Sequence, residues 1–199
     1  IPLIKNGSSE RFPSMLIGEN NSIFLTWIDK RLVADAKKSG NTRLGGSIAY
    51  SFSNDAGKTF QPEKIANEQS CECCRIGSSI DPKGGVAIVY RAIFPGGIRD
   101  HATQLISESG FGKTRRVSKD EWRTDACPHH GPAIAVSSSG KIHVAWFTQG
   151  TARSGVFYAN SINQGETYSN PARIGGEHEN VSRPYLLAQD KSIWLVWKG

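Results

Sequence analysis

The sequence predicts an all-β fold, a β-propeller of four-stranded blades, and three observations predict it. Ser53, Ser107 and Ser161 stand 54 residues apart, each opening a turn-forming octapeptide. An aromatic residue closes a strand at a nearly fixed distance from an earlier anchor. Pro13 to Trp27, Ile76 to Tyr90 and Pro132 to Trp146 each span fourteen residues, and Pro184 to Trp197 spans thirteen. Each period also holds four strand-like segments. A period of this size with four strands per repeat describes a propeller blade.

Each unit opens with a short apolar strand and a polar turn. The turns are Glu19-Asn20-Asn21, Asp81 to Gly85, Ser138-Ser139-Gly140 and Gln189-Asp190-Lys191, all rich in turn-forming residues. The second strands are Ile23 to Trp27, Val86 to Tyr90, Ile142 to Trp146 and Ile193 to Trp197. Their near-continuous apolar character suits strands covered on both faces, as where blade packs on blade. Third strands come next at Ser47 to Phe52, His101 to Ile106 and Gly155 to Asn160. The fourth strands expected are Gln61 to Ile65, Lys113 to Val117 and Asn170 to Ile174. Their Pro, Lys and Arg protect an outer edge from pairing with another chain. The blades then run over 8–66, 71–118, 127–175 and, in part, 181–199, with 1–7 as the closing strand of another blade. This reading makes 1–199 a single, incomplete propeller domain of about three and a half blades. Residues 29–40 contain helix formers but are expected as a loop, the usual carrier of functional residues in such a fold.

The octapeptide Ser53 to Phe60 reads Ser-Asn-Asp-Ala-Gly-Lys-Thr-Phe. Asp55 can accept hydrogen bonds from turn N–H groups, and Gly57 supplies a positive φ. Ser161 to Tyr168 repeats it with Asn163 for the Asp, and Ser107 to Thr114 is a degenerate third copy. The Ser-x-Asp-x-Gly-x-Thr-aromatic pattern resembles the Asp box of sialidases and other BNR-repeat propellers. That resemblance extends over essentially the whole chain and implies six blades in the complete protein.

The resemblance also implies roles for particular residues. Glu10-Arg11-Phe12-Pro13 is similar to the Tyr/Phe-Arg-Ile-Pro motif of sialidases, whose Arg belongs to a triad that grips the sialic acid carboxylate. A guanidinium can meet a carboxylate through two parallel hydrogen bonds. Arg11 is the matching position, Arg31 stands in Asp29-Lys30-Arg31, and Arg183 is a further candidate cation in Arg183-Pro184-Tyr185. Asp35 lies four residues beyond Arg31 and matches the loop Asp that serves as general acid/base. The nucleophilic Tyr, its Glu partner and the remaining arginines are expected beyond Gly199. The resemblance thus implies an exported exo-sialidase-like glycoside hydrolase, secreted or periplasmic, acting on terminal sialic acid or a related anionic sugar. Such an enzyme would need no cofactor. The alternative is a non-catalytic propeller that binds or assembles, with the 29–40 segment contacting a protein partner.

Four cysteines fall outside the sialidase pattern. Aligned on first strands, Cys71-Glu72-Cys73-Cys74 of the second unit stands opposite Cys127-Pro128-His129-His130 of the third. One reading is a disulfide from Cys71, Cys73 or Cys74 to Cys127 in an oxidising compartment. A second is a zinc or copper site drawn from Cys71, Cys73, Cys74, Cys127, His129 and His130. A Cys–His nucleophile pair is a third. Arg91, Arg99 and Asp100 are expected to form a structural ion pair. The net charge of +6 favours anionic ligands, but Lys and Arg are scattered rather than striped, which argues against nucleic acid. No apolar run is long enough to span a membrane as a helix.

Overall fold

The structure, a computed structural model, describes residues 10–124, 126, 129–176, 181–189 and 191–199. The segment expected as a closing strand at 1–7 lies outside these residues, as do Cys127 and Asp190. The described chain forms four successive antiparallel units. The first contains β1 (Glu10–Ile17), β2 (Ile23–Asp29), α1 (Arg31–Lys38), β3 (Gly46–Ser53) and β4 (Lys64–Ser70). The second contains β5 (Gly77–Ile80), β6 (Val86–Arg91), β7 (His101–Ser107), β8 (Gly110–Phe111) and β9 (Arg115–Arg116). The third contains β10 (Ala133–Val136), β11 (Ile142–Gln149), β12 (Ser154–Ser161) and β13 (Ala172–Ile174). The hairpin of β14 (Ser182–Gln189) and β15 (Ser192–Lys198) begins the fourth.

The core lies between the units. Ile88 and Tyr90 of β6 face Phe24, Ile28, Ile48 and Tyr50 of the first unit. Ala87 and Val89, one residue out of phase, face Ile134, Val144, Trp146 and Phe157 of the third. The side-chain period of two thus serves both neighbours at once, and every residue of β6 is buried. Each fully buried large apolar side chain contributes about 1.5–3 kcal/mol. Ala133, Ala135 and Ala145 pack similarly on Leu186 of the fourth unit.

The turns that come after β3 and β12 have nearly the same hydrogen bonds. Ser53 Oγ donates to Asp55 Oδ1 (2.8 Å) and accepts from Gly57 N–H (2.9 Å). Asp55 Oδ1 accepts Thr59 N–H at 2.8 Å. In the third unit Ser161 Oγ donates to Asn163 Oδ1 (2.9 Å) and accepts from Gly165 N–H (2.9 Å). Asn163 Oδ1 accepts Thr167 N–H at 3.0 Å. Bonds from Thr59 and Ser53 hold the Asp55 carboxyl down to about 2. The second copy, lacking the Asp, instead closes as a hairpin through β8, with Ser107 paired to Gly110.

Two expectations are corrected. Residues 31–38 are helical rather than a loop. Asp29 Oδ1 accepts the Arg31 N–H at 2.8 Å, which fixes the first turn, and Leu, Ala and Lys sustain it. The fourth strand of the first unit is β4 at Lys64–Ser70, later than Gln61 to Ile65. Gln61 N–H donates to the Phe52 carbonyl at 2.7 Å, but Pro62 has no N–H to continue, so the regular ladder starts at Lys64 opposite Tyr50.

Candidate functional site

Register divides the propeller into two faces. Asp29 pairs with Glu10 and Ser47 at one end of the first unit, while Ile23 pairs with Ile17 and Ser53 at the other. The Asp-box-like turns therefore sit on the face opposite to α1 and to the starts of the first strands. At those starts β1, β5, β10 and β14 converge. Ser14 Oγ and Ser78 Oγ share a hydrogen bond of 2.6 Å between β1 and β5. Ser79 Oγ accepts the Val136 N–H at 3.0 Å between β5 and β10.

β1 and β14 enter this junction through matching irregularities. The ladder shifts between Arg11 and Ser14, and again between Ser182 and Tyr185. Phe12 (φ 52°) and Arg183 (φ 50°) occupy the left-handed region immediately before Pro13 and Pro184. A non-glycine residue there bends the strand and re-aims its neighbours. This register equates Arg183 with Phe12, as the Pro13 and Pro184 anchors do. Gly131 lets the third unit approach the second, since a Cβ there would lie 2.7 Å from Arg75 Cβ.

Between the four strands lies a cavity of about 570 Å³. Its polar lining is Arg75, Arg183, His129, Ser14, Ser78 and Tyr185, over an apolar floor that includes Ile76, Ile134 and Leu186. Among the described residues no Asp or Glu lines it. Burial, then the positive charges of Arg91, Arg183 and His129, push the neighbouring His130 imidazole below its ordinary value. An anion entering here would be desolvated against guanidinium groups. The sequence reading overlooked Arg75. It stands directly before Ile76, where Arg183 stands before Pro184, so the alignment of anchors already contained the signal.

The remaining candidates lie elsewhere. Arg11 is exposed at the start of β1 and is not in the cavity lining. Arg31 donates to Asp29 Oδ2 (2.9 Å) and Glu63 Oε1 (2.8 Å), so its guanidinium already holds two carboxylates. Asp35 is exposed on α1 and ion-paired with Lys38 at 3.2 Å.

The cysteines form a second cluster on the connection from β4 to β5. Cys71, Cys73 and Cys74 are buried, with donor sulfurs all within 4.8 Å of one another. Cys71 Sγ lies 3.5 Å from Cys73 Sγ and 3.1 Å from Cys74 Sγ, contact distances rather than disulfide bonds. Hydrogen bonding from Cys74 holds the Cys71 thiol below its ordinary value, with Cys73 and the charge of Arg91 adding to it. The same bond drives Cys74 up. His129 and His130 do not join this group of donors. The disulfide and the fourth ligand expected from Cys127 fall outside the described residues.

The ion pair expected among Arg91, Arg99 and Asp100 is replaced by two separate arrangements. Asp100 pairs with Arg116. Arg91 is fully buried, with its guanidinium 3.9 Å from the Trp122 ring centre. Among the described residues no carboxylate pairs with Arg91, and its Nε and Nη1 find no hydrogen-bond acceptor. Lys30 and Glu72 bridge α1 to the cysteine segment at 2.6 Å.

No protein-family model matches the chain, and no curated protein matches it. Solved structures do match. A sialidase from Trypanosoma rangeli, solved with 2,3-difluorosialic acid, aligns over 95% of this chain and 34% of its own, with TM-score 0.61 and 13% identity. A Hadza microbial sialidase aligns over 96% of this chain and 45% of its own, with TM-score 0.57 and 14% identity. The six-bladed fucose-recognising lectin of the fungus Aleuria aurantia aligns over 88% and 48%, with TM-score 0.55 and 13% identity. At such identities the likeness is one of fold, and the fold is a sialidase-like β-propeller. The chain spans about a third to a half of the length of these proteins.

Proposed function

We propose that the chain belongs to a carbohydrate-acting propeller whose axial cavity takes an anionic sugar, a terminal sialic acid or a related carboxylated residue. The observation that carries this is the lining of the cavity: two guanidinium groups, an imidazole and three hydroxyls, with no opposing carboxylate among the described residues. Arg75 and Arg183 would take the carboxylate, and Ser14, Ser78 and Tyr185 the sugar hydroxyls. A sugar ligand accords with neighbours that are sialidases and a fucose lectin by description.

Hydrolysis is the finer reading. Asp35 stands on α1, on the same face as the cavity mouth, and would exchange the proton at the glycosidic oxygen. Arg11 lies outside the cavity lining and Arg31 is held by Asp29 and Glu63, so neither is assigned to the substrate. A tyrosine nucleophile would replace the second carboxylate usual in glycosidases. Secretion of the protein, or its export to the periplasm, would bring it to such glycans.

Calorimetric titration of the intact protein with N-acetylneuraminic acid tests the binding step, with fucose as the neutral control. Arg75→Ala and Arg183→Ala should each weaken binding about 10–100-fold, the worth of a charge-assisted hydrogen bond. Equal affinity for fucose, or indifference to both substitutions, would refute the anionic-sugar reading. Turnover of a fluorogenic sialoside tests the chemistry. Asp35→Asn should cut kcat by about 100-fold or more if Asp35 moves the proton. Binding without turnover in the intact protein would favour the non-catalytic alternative.

A further inference from the structure

The cysteine segment carries an inference independent of the sugar site. A buried cysteine packs as a small apolar residue, but three sulfurs converging on one another also make a set of soft donors. Beside them lies a stronger anomaly. Arg91 is fully buried, and no carboxylate among the described residues answers its charge. A buried cation needs compensation, and this guanidinium has only long contacts from Nη2 to the His130 (3.5 Å) and Phe147 (3.4 Å) carbonyls. Arg99 Nη1 also approaches Cys71 Sγ at 4.0 Å. Arg91 adjoins the same segment, its carbonyl accepting the Cys71 N–H at 2.8 Å, and its charge acts on all three sulfurs, so thiolates would supply the missing negative charge.

We propose that Cys71, Cys73 and Cys74 form a buried trithiolate site for a soft monovalent cation, copper(I), with Arg91 and Arg99 balancing its charge. Three thiolates around one monovalent ion carry a charge of about −2, which two guanidinium groups neutralise. A divalent ion would leave one positive charge over. Among the described residues no Asp, Glu or His completes a tetrahedron, so the donor set suits three-coordinate copper(I) better than structural zinc. Metal–sulfur bonds of about 2.3 Å space their sulfurs by about 3.8–4.0 Å. The closest pair, at 3.1 Å, needs to part by less than about 1 Å. Binding replaces up to three S–H protons by one cation, releases those protons to solvent and involves no oxidation. Glu72, between the ligands, is turned outward to Lys30 and leaves the sulfur pocket free of carboxylate.

The test is an anaerobic titration of the intact, reduced protein with copper(I), bicinchoninate competing. One copper per chain is expected, with zinc(II) displaced when both are present. Cys71→Ser, Cys73→Ser and Cys74→Ser should each lower copper affinity about 100-fold or more, since even outer-shell partners of a metal are worth 10–100-fold. Far-UV circular dichroism confirms that the variants are folded. If they are not, alkylation of the wild-type protein replaces them. Copper(I) should then protect the peptide bearing Cys71, Cys73 and Cys74 from iodoacetamide, and a bicinchoninate excess should restore labelling. Copper binding unchanged in the variants, no protection by copper, or a native disulfide from one of these cysteines to Cys127 would each overturn the proposal.

Discussion

Removing the Asp100 carboxylate should destabilise the propeller far more than its position in a connecting segment suggests. Asp100 Oδ2 accepts the Asp120 N–H (2.9 Å), the Glu121 N–H (3.1 Å) and Arg116 Nε (3.0 Å), while Oδ1 accepts the Trp122 N–H (3.1 Å). Three successive backbone donors and one guanidinium thus converge on a side chain with no solvent exposure. They hold Glu121 at a φ of 59° and seat Trp122 beneath Arg91. Asp100→Ala strands these donors and leaves the Arg116 charge with only the part-exposed Glu121. Breaking a buried pair of this kind costs about 3–5 kcal/mol. For a domain of this length that corresponds to a fall in Tm of about 6–20 °C. Asp100→Asn keeps one acceptor oxygen but turns an NH2 toward the other donors, so it should lose at least about 2 kcal/mol. Urea unfolding tracked by circular dichroism measures both. The substitution should also loosen the Trp122 seat, so alkylation of the neighbouring cysteine peptide should quicken. An Asp100→Ala protein within about 1 kcal/mol of wild type would refute the view that this carboxylate organises the segment.

The two intact Asp-box-like turns should respond alike. Ser53→Ala and Ser161→Ala should each cost about 1–3 kcal/mol, while Ser107→Ala, whose hydroxyl serves only an exposed hairpin, should cost under about 1 kcal/mol by urea midpoint. His101 is completely buried, and burial together with the charge of Arg91 holds its imidazole well below its ordinary value. The unfolded chain then takes up a proton below about pH 6.5 that the folded chain refuses, so stability is present above that pH and lost below it. From pH 7 to 5 this amounts to about 2 kcal/mol, which His101→Leu should abolish in paired urea titrations. Gly131→Ala should cost about 1–3 kcal/mol by pressing on Arg75, and should weaken sialic acid binding more than a distant change of equal destabilisation.

The repeat architecture was legible because it is written in period and spacing. Ser53 and Ser161 mark turns whose bonds coincide almost atom for atom, and each anchored aromatic lies in its second strand, though β2 and β11 run on past Trp27 and Trp146. The features that escaped were local. The helix at Arg31–Lys38 has too few residues to show a period, and it depends on the Asp29 carboxylate accepting one N–H. Arg75 was hidden by the absence of proline in its unit. The cysteines were legible as a cluster, but the buried, carboxylate-free guanidinium that gives them meaning is a tertiary fact. Nothing in the run Val86 to Arg91 signals that Arg91 points inward.

A crystal structure of the intact protein soaked with N-acetylneuraminic acid bears most directly on the anionic-sugar site. Density is expected in the axial cavity, with the sugar carboxylate within about 3 Å of the Arg75 and Arg183 guanidinium groups. A sugar bound at the Asp-box face, or in the cavity with its carboxylate turned away from both arginines, would contradict that assignment.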